Sequence, residues 1–148
     1  MLFRSISPFL SASAAIITDL KADTTGDIFS SPIDTFQVSG TNLTSGTINI
    51  GPLSGFGFSL NNNGPFTQTV SFSNSSGLLS PKNIYVVFNP SVNQVYSGNV
   101  PVSGGGATTI NIIANGNFSI MANNISIEKW LTENIKLGFY FPFYDFLL

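Results

Sequence analysis

The chain has 148 residues, 43% of them hydrophobic and only 8% charged, with a net charge of −2, no cysteine and no histidine. The length suits one domain with a sizeable core, while the charged share lies far below the usual value of about 25%. Five Lys and Arg residues are too few to neutralise a track of phosphates, which excludes nucleic acid as a partner; the missing cysteines exclude disulfides, thiolate metal sites and thiol nucleophiles, and the missing histidines exclude His-based hydrolytic triads.

The N-terminal stretch MLFRSISPFLSASAAIITDLKA has one early Arg, small residues and a weakly apolar middle, the outline of a poor signal peptide interrupted by Ser7, Pro8, Ser11 and Ser13. Four carboxylates follow, Asp19, Asp23, Asp27 and Asp34. A calcium loop needs oxygen ligands at alternate positions and a closing bidentate Glu. This spacing supplies neither, so these acids read as solvated loop carboxylates and no metal is assigned.

From Thr35 to Ile127 the only Asp, Glu, Lys or Arg is Lys82. Polarity there comes from Ser, Thr, Asn and Gln, interleaved with β-branched and aromatic residues, a mixture that suits pleated strands and turns. Period-two alternation marks seven runs in chain order: Phe36 and Val38; Ile48 and Ile50; Phe56 and Phe58; Phe66, Val70 and Phe72; Ile84, Val86 and Phe88; Tyr96, Val100 and Val102; Ile110 and Ile112. Turn-rich segments separate them at 39–46, 61–64, 73–77, 89–94 and 103–106. The predicted fold is all-β, a two-sheet antiparallel sandwich of about seven strands. Phe36, Val38, Phe58, Val70, Val86, Phe88, Tyr96 and Ile112 are expected to be largely buried in it.

Pro101 cannot donate to a ladder, so the sixth run lies at an edge or turns its proline N away from a partner; the edge is the expected position. The apolar Tyr85 and Val87 side of the fifth run points to a central strand covered on both faces or to a face hidden by the C-terminal segment. The SGGG segment at 103–106 lacks the Gly-Lys-Ser/Thr ending of a phosphate loop and reads as a hairpin turn. Asn-x-Ser/Thr sequons stand at Asn42, Asn74, Asn117 and Asn124, in a chain rich enough in these residues to produce them by chance.

The elements TFQVSGTNL, GFGFS, IYVVFNP and VYSGNV, followed by GGATT, make residues 10–116 resemble the immunoglobulin-like or fibronectin-like β-sandwich repeats of secreted multidomain proteins of Bacteroidota that use the type IX export route. The resemblance rests on Phe36, Val38, Gly40, Asn42, Leu43, Gly55, Phe56, Phe58, Ser59, Tyr85, Val86, Phe88, Pro90, Tyr96, Ser97, Gly98 and Val100; Pro101 and the C-terminus depart from it. It implies that residues 1–9 are a lead-in and that Leu10, Ile16 and Ile17 join the sandwich. It further implies that any signal peptide lies upstream, so that the chain is an excerpt or a fragmentary gene product. All the matched positions have core or turn explanations, Tyr96 that of a buried ring with its hydroxyl on nearby backbone.

Residues 117–148 form a C-terminal extension in this reading. Ile127, Trp130, Leu131 and Ile135 have helical spacing between Ser126 as N-cap and Gly138 as stop, which predicts a short helix at 126–137. The aromatic tail FYFPFYDFLL follows; its ten residues fall well short of the roughly 20 that a membrane-spanning helix needs. No catalytic, cofactor-binding or metal-binding residue is assigned, and no cofactor. The expected function is non-catalytic: a structural spacer or adhesion-type module of a secreted or cell-surface protein, in contact with neighbouring domains of its own chain. The alternative is a carbohydrate-binding module that would display at least two coplanar exposed aromatics beside Asn or Gln, with a polysaccharide or a cell-surface protein as its outside partner.

Overall fold

A computed structural model describes residues 6–23, 32–92 and 94–119. Nine strands lie among them: β1 Phe9–Ala12, β2 Ile16–Asp23, β3 Asp34–Leu43, β4 Gly46–Ile50, β5 Phe56–Ser59, β6 Val70–Asn74, β7 Gly77–Phe88, β8 Val95–Gly104 and β9 Ala107–Ser119. They form a four-stranded sheet in the order β1-β3-β7-β5 and a five-stranded sheet in the order β2-β9-β8-β4-β6. The described residues contain no helix. The predicted helix at 126–137 and the aromatic tail lie outside them.

The two sheets bury their facing sides against each other, as the alternation requires. Phe36, Val38, Phe58, Ile84, Val86 and Phe88 point inward from one sheet, and Ile48, Ile50, Val100, Val102, Ile112 and Ala114 from the other, all at 1% exposure or less. Each of the larger side chains contributes about 1.5–3 kcal/mol by leaving water. Seven of the eight residues expected to be buried are so; Val70 is only half-buried, because β6 is an edge strand with no neighbour beyond it among the described residues. Phe66 lies outside β6 altogether. It precedes Thr67, whose backbone exchanges hydrogen bonds with Phe58 across the free edge of β5.

The expected seven strands become nine because the N-terminal segment supplies two. β1 pairs antiparallel with β3. The chain then changes sheets at 13–15, where Ser13 is tied to Gln37 twice: its backbone N–H donates to the Gln37 carbonyl, and its hydroxyl oxygen accepts from the Gln37 N–H. β2 runs parallel to β9, so the sandwich is not wholly antiparallel. Leu10 and Ile17 enter the core as expected, whereas Ile16 stays 52% exposed. β9 continues to Ser119, past the expected boundary at 116, and pairs there with Asp23.

The edge assignment for Pro101 is wrong. β8 lies between β9 and β4. The Pro101 carbonyl accepts from the Gly51 N–H at 2.9 Å. The N and C=O of a strand residue face the same neighbour, so the missing N–H points toward Gly51, just past the end of β4 at Ile50. An interior strand can carry this proline because its neighbour stops there. β7 is an interior strand too, and Phe66 covers part of its outer face beside Gly57 and Val87.

Two poles follow from the strand directions. β1 begins at the leading pole, which also holds the β3–β4, β6–β7 and β8–β9 turns. β9 ends at the trailing pole, beside the start of β3 and the link from β7 to β8. The leading turns interlock, the Thr44 N–H donating to the Gly105 carbonyl at 2.8 Å. At the trailing pole, Phe88 packs 5.2 Å from Phe56 and edge-on 5.3 Å from Tyr96. Gly116 lies directly under the Phe88 ring, with no room for a Cβ.

β5 covers only Phe56–Ser59 against Tyr85–Phe88. On that side Gly77–Ile84 of β7 therefore has no strand neighbour among the described residues. Lys82 sits in this open stretch, its ammonium 5.1 Å from the centre of the Phe72 ring on the opposite sheet.

Candidate interaction surfaces

No site residue was assigned from the sequence, and the candidates weighed there fall in separate places. Asp19 and Asp23 lie on β2 and Asp34 opens β3, where its carboxylate accepts from the Thr35 N–H at 2.7 Å. Asp27 lies outside the described residues. Among those residues no three His, Cys, Asp or Glu side chains come together as metal ligands. The 103–106 segment closes the β8–β9 hairpin, with Gly105 packed against Leu43. The sequon residues differ sharply: Asn42 is exposed with φ 55°, Asn74 is buried and donates to the Thr44 carbonyl, Asn117 points outward from β9, and Asn124 is outside the described residues.

Period two also dictates the outer surface. On the five-stranded sheet the inward residues alternate with Thr47 and Asn49 on β4, Ser71 and Ser73 on β6, Ser97, Asn99 and Ser103 on β8, and Asn111, Asn115 and Asn117 on β9. Ser71, Asn49 and Ser103 stand side by side in register across three strands, about 4.8 Å apart. Ser97 donates from its hydroxyl to Asn115 Oδ1 at 2.6 Å. The result is a neutral amide and hydroxyl face. The four-stranded sheet continues it with Thr35, Ser39, Thr41 and the Gln37–Asn83 pair, bonded at 3.0 Å.

Exposed apolar side chains have a different distribution. Ile6, Phe9 and Leu78 are at the leading pole, Ile33, Val92 and Val95 at the trailing pole, and Ile16 with Ile113 form one cross-strand pair on the sheet face. Among the aromatic side chains whose exposure is described, Phe9 is the exposed one. Sequence reasoning did not single out these pole residues. The signal was present: Leu78 and Val95 occupy outward positions that elsewhere in this chain carry Ser, Thr or Asn.

Tyr96 is held as the sequence led one to expect. Its ring is 8% exposed and packs on Gly55, and its hydroxyl lies 3.3 Å from both the N–H and the carbonyl of Val92. The described residues contain no helix long and apolar enough to cross a membrane. No protein-family model matches the chain, and no curated protein matches it.

Proposed function

We propose that the chain is an immunoglobulin-like repeat module, non-catalytic, serving as a spacer or adhesion-type unit in a secreted or cell-surface multidomain protein of the bacterial kind it resembles. The observation that carries this reading is the position of the two ends of the sandwich: its first strand starts at one pole and its last strand ends at the other. With 13 residues in β9, that path advances about 40 Å per module. The strand order supports the immunoglobulin-like part. β1-β3-β7-β5 and β9-β8-β4 correspond to the ABED and GFC sheets, with the first strand divided between the two and the Tyr96 hydroxyl bonded to backbone four residues earlier. One departure is that β5, at the edge of the four-stranded sheet, comes before β6 in the chain. A neutral amide and hydroxyl surface stays hydrated without charge, which suits a unit whose neighbours carry the ligand site.

The test is an exchange. Residues 9–119 are replaced, in the polypeptide that carries them, by an unrelated sandwich of the same pole-to-pole length. A spacer tolerates the exchange, and the parent protein keeps its surface display and activity. Loss of either overturns the spacer reading. Retention of the unmodified chain on a neutral polysaccharide matrix, abolished by Asn49→Ala with Asn111→Ala, would favour the carbohydrate-binding alternative instead.

A further inference from the structure

Two Asn-Gly pairs stand in the sequence, Asn63–Gly64 and Asn115–Gly116. In such a pair the glycine nitrogen, with no side chain beside it to shield it, is able to attack the side-chain carbonyl carbon of the asparagine before it, which is one source of the thermal lability of asparagine. The two pairs are chemically alike. Their surroundings differ, and ring closure sets conditions that a folded chain meets in one place and refuses in another. The glycine N–H must leave its hydrogen bond, the asparagine amide must swing toward that nitrogen, and the asparagine Cβ must come round to eclipse it about the Cα–C bond.

Asn115 is held away from all three. It lies within β9, an interior strand between β2 and β8, where the extended backbone turns Cβ away from the next nitrogen. Its Oδ1 accepts from the Ser97 hydroxyl at 2.6 Å, which ties the amide to β8. Gly116 stands in register with Leu20 on one side and Tyr96 on the other, and the Phe88 ring lies against it. Cyclisation there waits on opening of the sandwich itself.

Asn63 is exposed, at the third position of the turn Asn61–Gly64 in the link from β5 to β6. One backbone hydrogen bond closes that turn, from the Gly64 N–H to the Asn61 carbonyl at 3.0 Å. Breaking it frees the attacking nitrogen, and no strand pairing has to break with it. Segments held by so little open far more often than paired strands do.

We propose that Asn63 is a site of spontaneous modification, at which the protein loses a side-chain amide while it stays folded. The Gly64 nitrogen bonds to Asn63 Cγ, the Cγ–Nδ2 bond breaks, and Nδ2 leaves as ammonia with the proton from the Gly64 N–H. Water then opens the five-membered imide at either of its carbonyls, which leaves aspartate or isoaspartate. Asn115 keeps its amide for as long as the fold stands. The product matters in this chain because the new carboxylate is the first acid between Thr35 and Ile127, a stretch whose only ionic side chain is Lys82. It takes the net charge one unit below −2. None of this depends on what the sandwich serves, so its failure and that of the spacer reading are separate results.

The full chain is incubated in mildly alkaline buffer, with and without urea, and the peptides holding each Asn-Gly pair are followed by mass mapping. Isoaspartate is identified by its shifted chromatographic retention and by labelling with an isoaspartyl methyltransferase. In urea the two pairs are expected to convert at similar rates. In the folded chain Asn63 should convert within about tenfold of its rate in urea, whereas Asn115 should slow by at least about a hundredfold, since its reaction waits on unfolding. Asn63→Gln, an exposed change that should leave the melting temperature where it was, is expected to abolish the acidic species that grows in when the folded chain is aged and focused by charge. Protection of Asn63 as strong as that of Asn115 overturns the proposal, as does conversion of Asn115 in the folded chain at the rate of Asn63. An acidic species that grows in equally fast in Asn63→Gln also overturns it, and assigns the change to another amide.

Discussion

The two poles of the sandwich turn the same chain by different means. At the leading pole the β6–β7 and β8–β9 turns pass through glycines with positive φ, Gly77 at 98° and Gly104 at 124°, and the side chains that help are Leu43 beneath Gly105 and the buried Asn74 amide, which donates to the Thr44 carbonyl. At the trailing pole the β7–β8 link contains no glycine, and side chains anchor it: Phe88 and Tyr96 meet edge-on at its two ends, and the Tyr96 hydroxyl holds the backbone of Val92. One pole depends on backbone freedom and the other on packing. The lesson is that a short turn, within a sheet or between sheets, needs little core, whereas the longer β7–β8 connection is held by a large ring committed to it.

The contrast can be broken most directly at Phe88. Truncation by Phe88→Ala removes the ring that fills the space between Phe56, Tyr96 and Gly116, and is expected to cost about 3–5 kcal/mol, read as a shift of the urea midpoint. At the leading pole the corresponding disruption is Gly104→Ala. A methyl group there would overlap the Thr47 carbonyl oxygen, which belongs to a paired strand and cannot swing away. With the positive φ added, the loss should be about 2–3 kcal/mol. Gly77→Ala separates the two contributions: nothing lies within 4 Å of the added methyl, so only the backbone penalty of about 1–2 kcal/mol should appear. If Gly77→Ala proved as damaging as Gly104→Ala, backbone conformation alone would account for the leading pole. The smallest effect belongs to Tyr96→Phe, which keeps the ring and loses two hydrogen bonds of 3.3 Å. About 1 kcal/mol is expected, together with faster amide exchange at Val92 that the leading-pole variants do not show.

Much of this fold can be read in the order of its residues, for a simple reason. A chain with almost no charge leaves Ser, Thr and Asn to mark the outward positions, so the period-two pattern of Phe36, Val38, Ile84, Val86 and Phe88 stands out clearly. What the pattern does not carry is which strand lies beside which. Pro101 looked like an edge residue because a proline removes one hydrogen bond. Whether that bond is needed depends on where β4 stops, fifty residues earlier in the chain. Phe66 and Val70 share a parity but not a strand, since parity persists by chance across a loop. The parallel pairing of β2 with β9 joins segments nearly a hundred residues apart and has no local signature. As for the interaction surface, Leu78 and Val95 were visible as apolar residues in polar positions, but their grouping at opposite poles exists only in three dimensions.

The placement of Lys82 bears on solubility during synthesis and storage. The open flank of β7 has no strand partner among the described residues, on a sandwich whose outer faces are mostly neutral, where an approaching strand from another molecule meets little electrostatic repulsion. Within that flank stand Pro81, which has no N–H to offer, and Lys82, the one ionic side chain between residues 35 and 127, held over Phe72. A strand that paired there would have to lift the ammonium off the ring and lose water from it, a cost that natural sheets commonly use to discourage edge-to-edge growth. A single positive charge beside Pro81 thus makes added pairing along this flank costly.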